Sequence, residues 1–164
     1  MTEQQKFEVI EEHNGFEIRE FLPCVVADVL TTGDISSAGS EAFRPLFNYI
    51  SSNNISMTAP VLNEEVIPNQ WKVSFVMPAD ARLEDLPNPT GSPVTLREIP
   101  AQRAAVLRFS GRTTPQSALE YEGKLRELLN AQGITPTGKA RIARFDPPWK
   151  PPFARHNEVI IPID

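Results

Sequence analysis

The chain has little of what most catalytic and metal-binding sites are built from. Of its 164 residues one is cysteine and two are histidine. A lone thiol closes no internal disulfide, and no cluster of Cys and His stands at zinc-like spacing, which suits a reducing compartment. The Gly-rich phosphate loop, the Gly-x-Ser-x-Gly nucleophile elbow and the paired-His helix motif are all missing, so a non-enzymatic role is preferred while catalysis stays open. Basic residues are scattered singly in a chain of net charge −5, without the stripe that follows a phosphate backbone, which argues against nucleic acid as a partner. No run approaches the roughly 18 apolar residues of a membrane span. The N-terminus, "MTEQQKFEVIEEHNG", is polar and acidic where a signal peptide is basic and then apolar. The expectation is a soluble, cytoplasmic protein with no membrane partner.

What is present is a chain that reads twice. At this length one domain, residues 1–164, can bury roughly 70% of the surface its unfolded form exposes. "EIREFLPCVVADVLTTG" (17–33) laid over "TLREIPAQRAAVLRFSG" (95–111) aligns Arg19 with Arg97, Glu20 with Glu98, Ala27 with Ala105 and Gly33 with Gly111. After Gly33, Phe43, Leu46, Phe47 and Ile50 recur at the spacing of one helix face, which predicts a helix over 39–51, with Pro45 forcing a kink or a late start. After Gly111, Thr114 as cap, Pro115 in the first turn and Gly133 as terminator predict a second helix over 115–132.

Two strand candidates follow each helix: "ISMTAPVL" and "WKVSFVMP", then "ARIARF" and "NEVIIPI". Each half, about 7–86 and about 94–164, therefore reads strand, strand, helix, strand, strand, joined by the turn-rich stretch holding Pro87, Asn88, Pro89, Gly91 and Pro93. The simplest architecture is α+β with a pseudo-twofold axis, its antiparallel strands curled into a barrel or saddle against two helices.

Near the end runs "DPPWKPPFARHNEV" (146–159), in which Pro147, Pro148, Pro151 and Pro152 bracket Trp149 and Lys150. Proline fixes φ and removes a donor, so the segment is neither helix nor central strand but a stiffened loop. Stiffness beyond what a connection needs points to a loop that holds side chains in place.

These words, in order and over nearly the whole chain, resemble the SOUL family of haem-binding proteins: "FEIREF", "YIS…ISMTAPV", "VSFVMP", "FSG" and "FDPPWKPPFARHNEV". The resemblance implies a distorted eight-stranded barrel with two helices, built from two similar halves. It also implies haem or another tetrapyrrole in a shallow apolar site beside the first helix. Carried over, that helix supplies Phe43, Leu46, Phe47 and Ile50, "ISMTAPV" supplies Met57, and the proline-rich loop supplies Trp149, Lys150 and Phe153 as a lid with one ammonium for the propionates. The chain is also similar to effector-binding domains related to gyrase inhibitory protein, some of which hydrolyse small molecules with a pocket carboxylate.

Each candidate has a plainer reading. The helix stripe can be ordinary core, Met57 a gap filler, and Lys150 a solvated surface charge. Arg44 and Arg155 are weaker candidates for the anion role. His13 lies by a turn, His156 stands where the family usually has arginine, and Cys24 reads as a small buried residue, so no axial iron ligand is assigned. Glu158 is the best placed acid for a hydrolase, provided that burial raises its pKa; a strand carboxylate paired with an arginine is the alternative. A protein-interaction role for a strand edge stays open.

Overall fold

The computed structural model describes residues 2–164. In chain order the elements are β1 (Glu3–Gln4), β2 (Phe7–His13), β3 (Phe16–Phe21), β4 (Cys24–Thr32), α1 (Ile35–Ser52), β5 (Thr58–Ala59), β6 (Val61–Ile67) and β7 (Gln70–Val76). They continue with β8 (Thr95–Ile99), β9 (Gln102–Phe109), α2 (Pro115–Ala131), β10 (Arg141–Arg144) and β11 (Asn157–Pro162).

The helix starts follow from local chemistry. Asp34 caps α1, its carboxylate accepting from the amides of Ser36 at 2.9 Å and Ser37 at 3.2 Å. This cap begins the helix at Ile35, four residues before the expected 39, and Pro45 lies inside it rather than delaying it. A capped first turn and a buried face of Ile35, Ala38, Ala42, Leu46, Tyr49 and Ile50 offset the one backbone bond that Pro45 cannot make. Thr114 and Ser117 form a capping box at α2, with Pro115 in the first turn, and the helix ends one residue short of the expected 132. Gly33 and Gly111, which precede the two caps, have φ of +117° and +103°, a region that side chains with a Cβ avoid.

Nine strands form one antiparallel sheet in the order β2-β3-β9-β11-β10-β6-β7-β4-β8, curled into a half-barrel; β1 and β5 make a separate parallel pair. The fold is α+β, with one strand more than the eight the resemblance implies. Leaving β2 aside, exchanging β3 with β8, β4 with β9, β6 with β10 and β7 with β11 turns the order into its own reverse. Registers agree as well. Ile18 faces Ala105 and Arg19 faces Ala104 across β3–β9, while Leu96 faces Ala27 and Arg97 faces Val26 across β4–β8.

Alternation along each strand divides the sheet into two faces. On β4, Val25, Ala27 and Val29 join the main core with the helices, α1 over β4 and β7, α2 over β9 and β11. Val26 joins a second cluster with Phe21, Leu62, Val76, Ala104, Val106, Ala143 and Ile160, to which neither helix contributes. That helix-free face also carries charge. Arg19 on β3 donates to both oxygens of Glu158 on β11, at 2.8 and 2.9 Å, spanning β9 between them. Arg97 Nε donates to Asp28 at 2.8 Å, and Ser74 donates to the same carboxylate.

Burial alone raises the Glu158 pKa, but donors from His156 and Arg19 outweigh it and hold the carboxyl below its ordinary 4.5. Glu158→Gln leaves a buried guanidinium short of its counter-charge, so urea unfolding at neutral pH is expected to show a loss of about 3–5 kcal/mol. A carboxyl with a depressed folded pKa stabilises above its unfolded value and loses that contribution as pH falls through the folded one. The gap between wild type and variant should therefore be full above 4.5 and shrink on acidification. A gap independent of pH would mean that ionised Glu158 is not the stabilising species.

Candidate functional site

The outer surface of α1 presents two large apolar groups to solvent. Phe43 and Phe47 are 46% and 44% exposed, whereas Leu46 and Ile50, expected on the same stripe, are buried in the core. The four residues share an apolar arc too wide for one function. Its inner edge faces the sheet and its outer edge faces water. The two phenyl rings stack with centroids 5.4 Å apart and planes 12° from parallel, and Phe43 is held from below by the edge of Phe75 on β7 at 5.7 Å. A stacked, supported pair of rings is a preformed platform, since its rotamers are largely fixed before anything lands on it.

One turn before Phe43, Gly39 lies on the same stripe, and its bareness matters. A Cβ there would approach Arg144 Nη1 to 2.8 Å, so the guanidinium at the end of β10 rests against the helix backbone. Burial and the nearby charge of Arg155 hold Arg144 below the ordinary arginine pKa, and among the described residues no acid offsets them. Sequence reasoning missed Arg144 because in "ARIARF" it reads as one polar position of a strand; the signal was Gly39, a helix glycine with no turn to explain it.

The other expected residues are placed less favourably. Arg44 is exposed, one position round the helix from the platform, and Met57 is half-buried against the main core, as a gap filler would be. Lys150 is not free: its ammonium donates to Asp146 Oδ1 at 2.9 Å. Asp146 also accepts the His156 amide, and Arg155 donates to the Lys150 carbonyl at 2.8 Å. The Pro152 carbonyl takes the Gly111 amide at 2.9 Å. The loop is thus a self-contained unit tied to the strand ends, and Trp149 and Phe153, each 83% exposed, stand outward rather than closing as a lid.

For iron the residues at the platform offer no strong donor. His13 stacks on Phe16 at 4.6 Å and bonds Glu11, and His156 stacks on Phe145 at 4.0 Å and donates to Glu158 at 2.8 Å. Cys24 packs with the helix-free cluster, its thiol pushed up by burial. No group of three or more metal-ligating side chains occurs among the described residues. The condition for Glu158 as a hydrolytic acid is also not met, because its pKa is lowered rather than raised and its partner is Arg19. A cavity of about 90 Å³ lies between β1, Cys24 and Met77, and a more open one of about 360 Å³ beside Leu83, Leu86 and Val94; neither includes the platform. No helix among the described residues is long and apolar enough to cross a membrane.

Solved structures share this architecture at low identity. The C-terminal domain of EcmrR superposes with a TM-score of 0.72 at 14% identity, over 91% of this chain and 96% of that one. A hydrolase from Listeria innocua gives 0.66 at 12% identity, over 94% of both chains. SAV2435 bound to tetraphenylphosphonium gives 0.50 at 6% identity, over 91% and 93%. These likenesses concern the fold. No curated protein sequence matches the chain. The family model described as SOUL heme-binding protein matches residues 2–162, so the chain, with its platform on α1 and its two-faced sheet, belongs to the SOUL haem-binding family.

Proposed function

We propose that this protein binds haem or another tetrapyrrole reversibly, in a shallow apolar site on the outer face of α1, and serves as a cytoplasmic carrier or buffer. The observation that carries the reading is the exposed Phe43–Phe47 stack with the unpaired Arg144 guanidinium one turn away. A tetrapyrrole supplies a flat apolar face and carboxylates, and these are the complements of the two features. Covering what remains exposed of each phenyl is worth about 1 kcal/mol, roughly half of a full burial. A charge-assisted bond to a carboxylate adds about 1.5–3 kcal/mol where water is excluded and less where it is not.

Without an axial ligand the affinity is set by contacts. Roughly forty heavy atoms at about 0.3 kcal/mol each give about 12 kcal/mol, near nanomolar, for a fully enclosed ligand. An open platform reaches only part of that, so micromolar to submicromolar binding fits, and so does a cargo that has to be released. The exposed rings of Trp149 and Phe153 follow Arg144 in the chain by five and nine residues, which supports reading them as further apolar contacts for the ligand. The matched strand registers on the two sides of the sheet further support reading residues 7–86 and 94–164 as an internal duplication. The likeness to a hydrolase concerns the fold, and Glu158, the acid best placed for such chemistry, is paired with Arg19 and held low, so the binding reading is preferred to the catalytic one.

Titration with ferric haem should give a saturable Soret shift, with no comparable turnover of esters. Arg144→Gln should weaken binding about tenfold, a difference that shrinks at high salt, whereas Phe47→Ala should weaken it by a similar factor at every salt concentration. Lys150→Ala should change affinity little, because Asp146 already holds that ammonium. A folded protein with no spectral change at tens of micromolar haem would sink the proposal.

If Trp149 closes over bound ligand, Trp149→Ala will raise the haem dissociation rate and leave the melting temperature unchanged, since an 83% exposed ring contributes little to folding. Stopped-flow transfer of haem to an apo-globin reads the rate. A variant that melts early with an unaltered rate would make the loop a structural clasp.

A further inference from the structure

On the opposite, helix-free face of the sheet three arginines sit close together, and two of them have a carboxylate for a partner although Arg19 Nε, like Arg141 Nε, makes no bond. Arg19 is forked on Glu158, and Arg97 is held by Asp28. Arg141, at the start of β10, differs. Its Nη1 donates to the side-chain oxygen of Gln102 at 2.8 Å, a neutral partner. Its Nε is closed to solvent and bonds to nothing. No carboxylate lies within ion-pair distance among the described residues; Glu64 acts on it only at longer range, and Arg97 opposes it.

An unanswered buried guanidinium is costly, and a neutral residue of similar size would relieve that cost. With Nη1 taken by Gln102 and Nε shut away, Nη2 is the donor left open, and a charge-assisted bond from it to a carboxylate or phosphate oxygen would answer the charge. The surroundings narrow the choice. The Phe21 ring centroid lies 5.6 Å from the Arg141 guanidinium carbon, and half-buried Phe7, Cys24 and Ile99 pack on the same cluster. Gln102, Cys24, Ile99 and Arg141 each keep partial exposure, so the place opens to solvent where β3 passes to β4 and β8 to β9.

We propose that this end of the half-barrel is a second ligand site, in which Arg141 pairs with the carboxylate of a small amphipathic acid whose apolar body lies against Phe7, Phe21 and Ile99. Gln102 is the positioning residue, since its bond to Nη1 fixes the guanidinium and leaves Nη2 as the open donor. Burial brings the guanidinium down to about 10, the direction expected of a cation awaiting its counter-ion. The site lies on the face of the sheet opposite α1 and is independent of tetrapyrrole binding.

The test uses the whole protein, with octanoate and inorganic phosphate as probes. Octanoate is expected to shift the Arg141 Nε–Hε nuclear magnetic resonance signal saturably and to raise the melting temperature. Phosphate at equal concentration should do much less. Arg141→Gln should keep or raise the melting temperature without ligand, lose at least tenfold in octanoate affinity, and titrate with haem as the wild type does. Equal saturation by phosphate would overturn the amphipathic character of the ligand. A wild-type Arg141 signal unmoved by millimolar octanoate would overturn the site itself, and this measurement needs no variant to fold. An Arg141→Gln protein that binds octanoate normally would do the same.

Discussion

The bidentate pair of Arg19 and Glu158 is the constraint from which much else is set. It joins β3 to β11 over the top of β9, so three adjacent strands are fixed in register and in curvature at one point. A charge pair of this burial tolerates no slippage: a one-residue shift would turn either partner to the helix side and leave the other alone. Glu158 is also the anchor of His156, which stacks on Phe145 and gives its amide to Asp146. Asp146 in turn holds Lys150. The proline-rich loop is therefore aimed by a buried carboxylate several residues away, and its prolines only keep the setting.

Much of the fold could be read from the chain because its signals were local. The alternation of Trp71, Val73 and Phe75, the cap at Thr114 and the paired glycines at 33 and 111 each act through neighbours in sequence. The expected start of α1 falls four residues late because the apolar stripe and Pro45 are stronger signals in the chain than the single cap Asp34, which begins the helix at Ile35. The site was less legible. Which edge of the α1 stripe faces water depends on how far the sheet beneath it curls, and period alone does not tell Leu46 from Phe47. Lys150 looked free until the spacing to Asp146 became a contact. Arg144 and Arg141 are ordinary alternate residues of a strand until one knows what they fail to meet.

The two faces of the sheet divide the chemistry. One face is closed by helices over a large apolar core, and Phe43 and Phe47 on the outer surface of α1 are spared from it. The other face has no helix to cover it and mixes aliphatic side chains with arginines, acids and a hydroxyl, of which Arg19 with Glu158 and Arg97 and Ser74 with Asp28 are paired. Arg141 differs from its neighbours there in having no carboxylate beside it among the described residues.

The strand β2 has a further effect. It adds one row beyond the arrangement that otherwise reads the same from both ends, and so decides what the sheet shows at that margin. Its pairing with β3 is irregular between Val9 and Glu11, and it carries Glu8, Glu11 and Glu12. A broken, acidic border is a poor template for another molecule's strand, since a newcomer would meet misaligned amides and a row of negative charge. Val9 and Ile10, both partly bare on this strand, would otherwise invite fibrous stacking. At this margin the sheet thus offers an irregular, negatively charged border in place of a regular row of free amides and carbonyls.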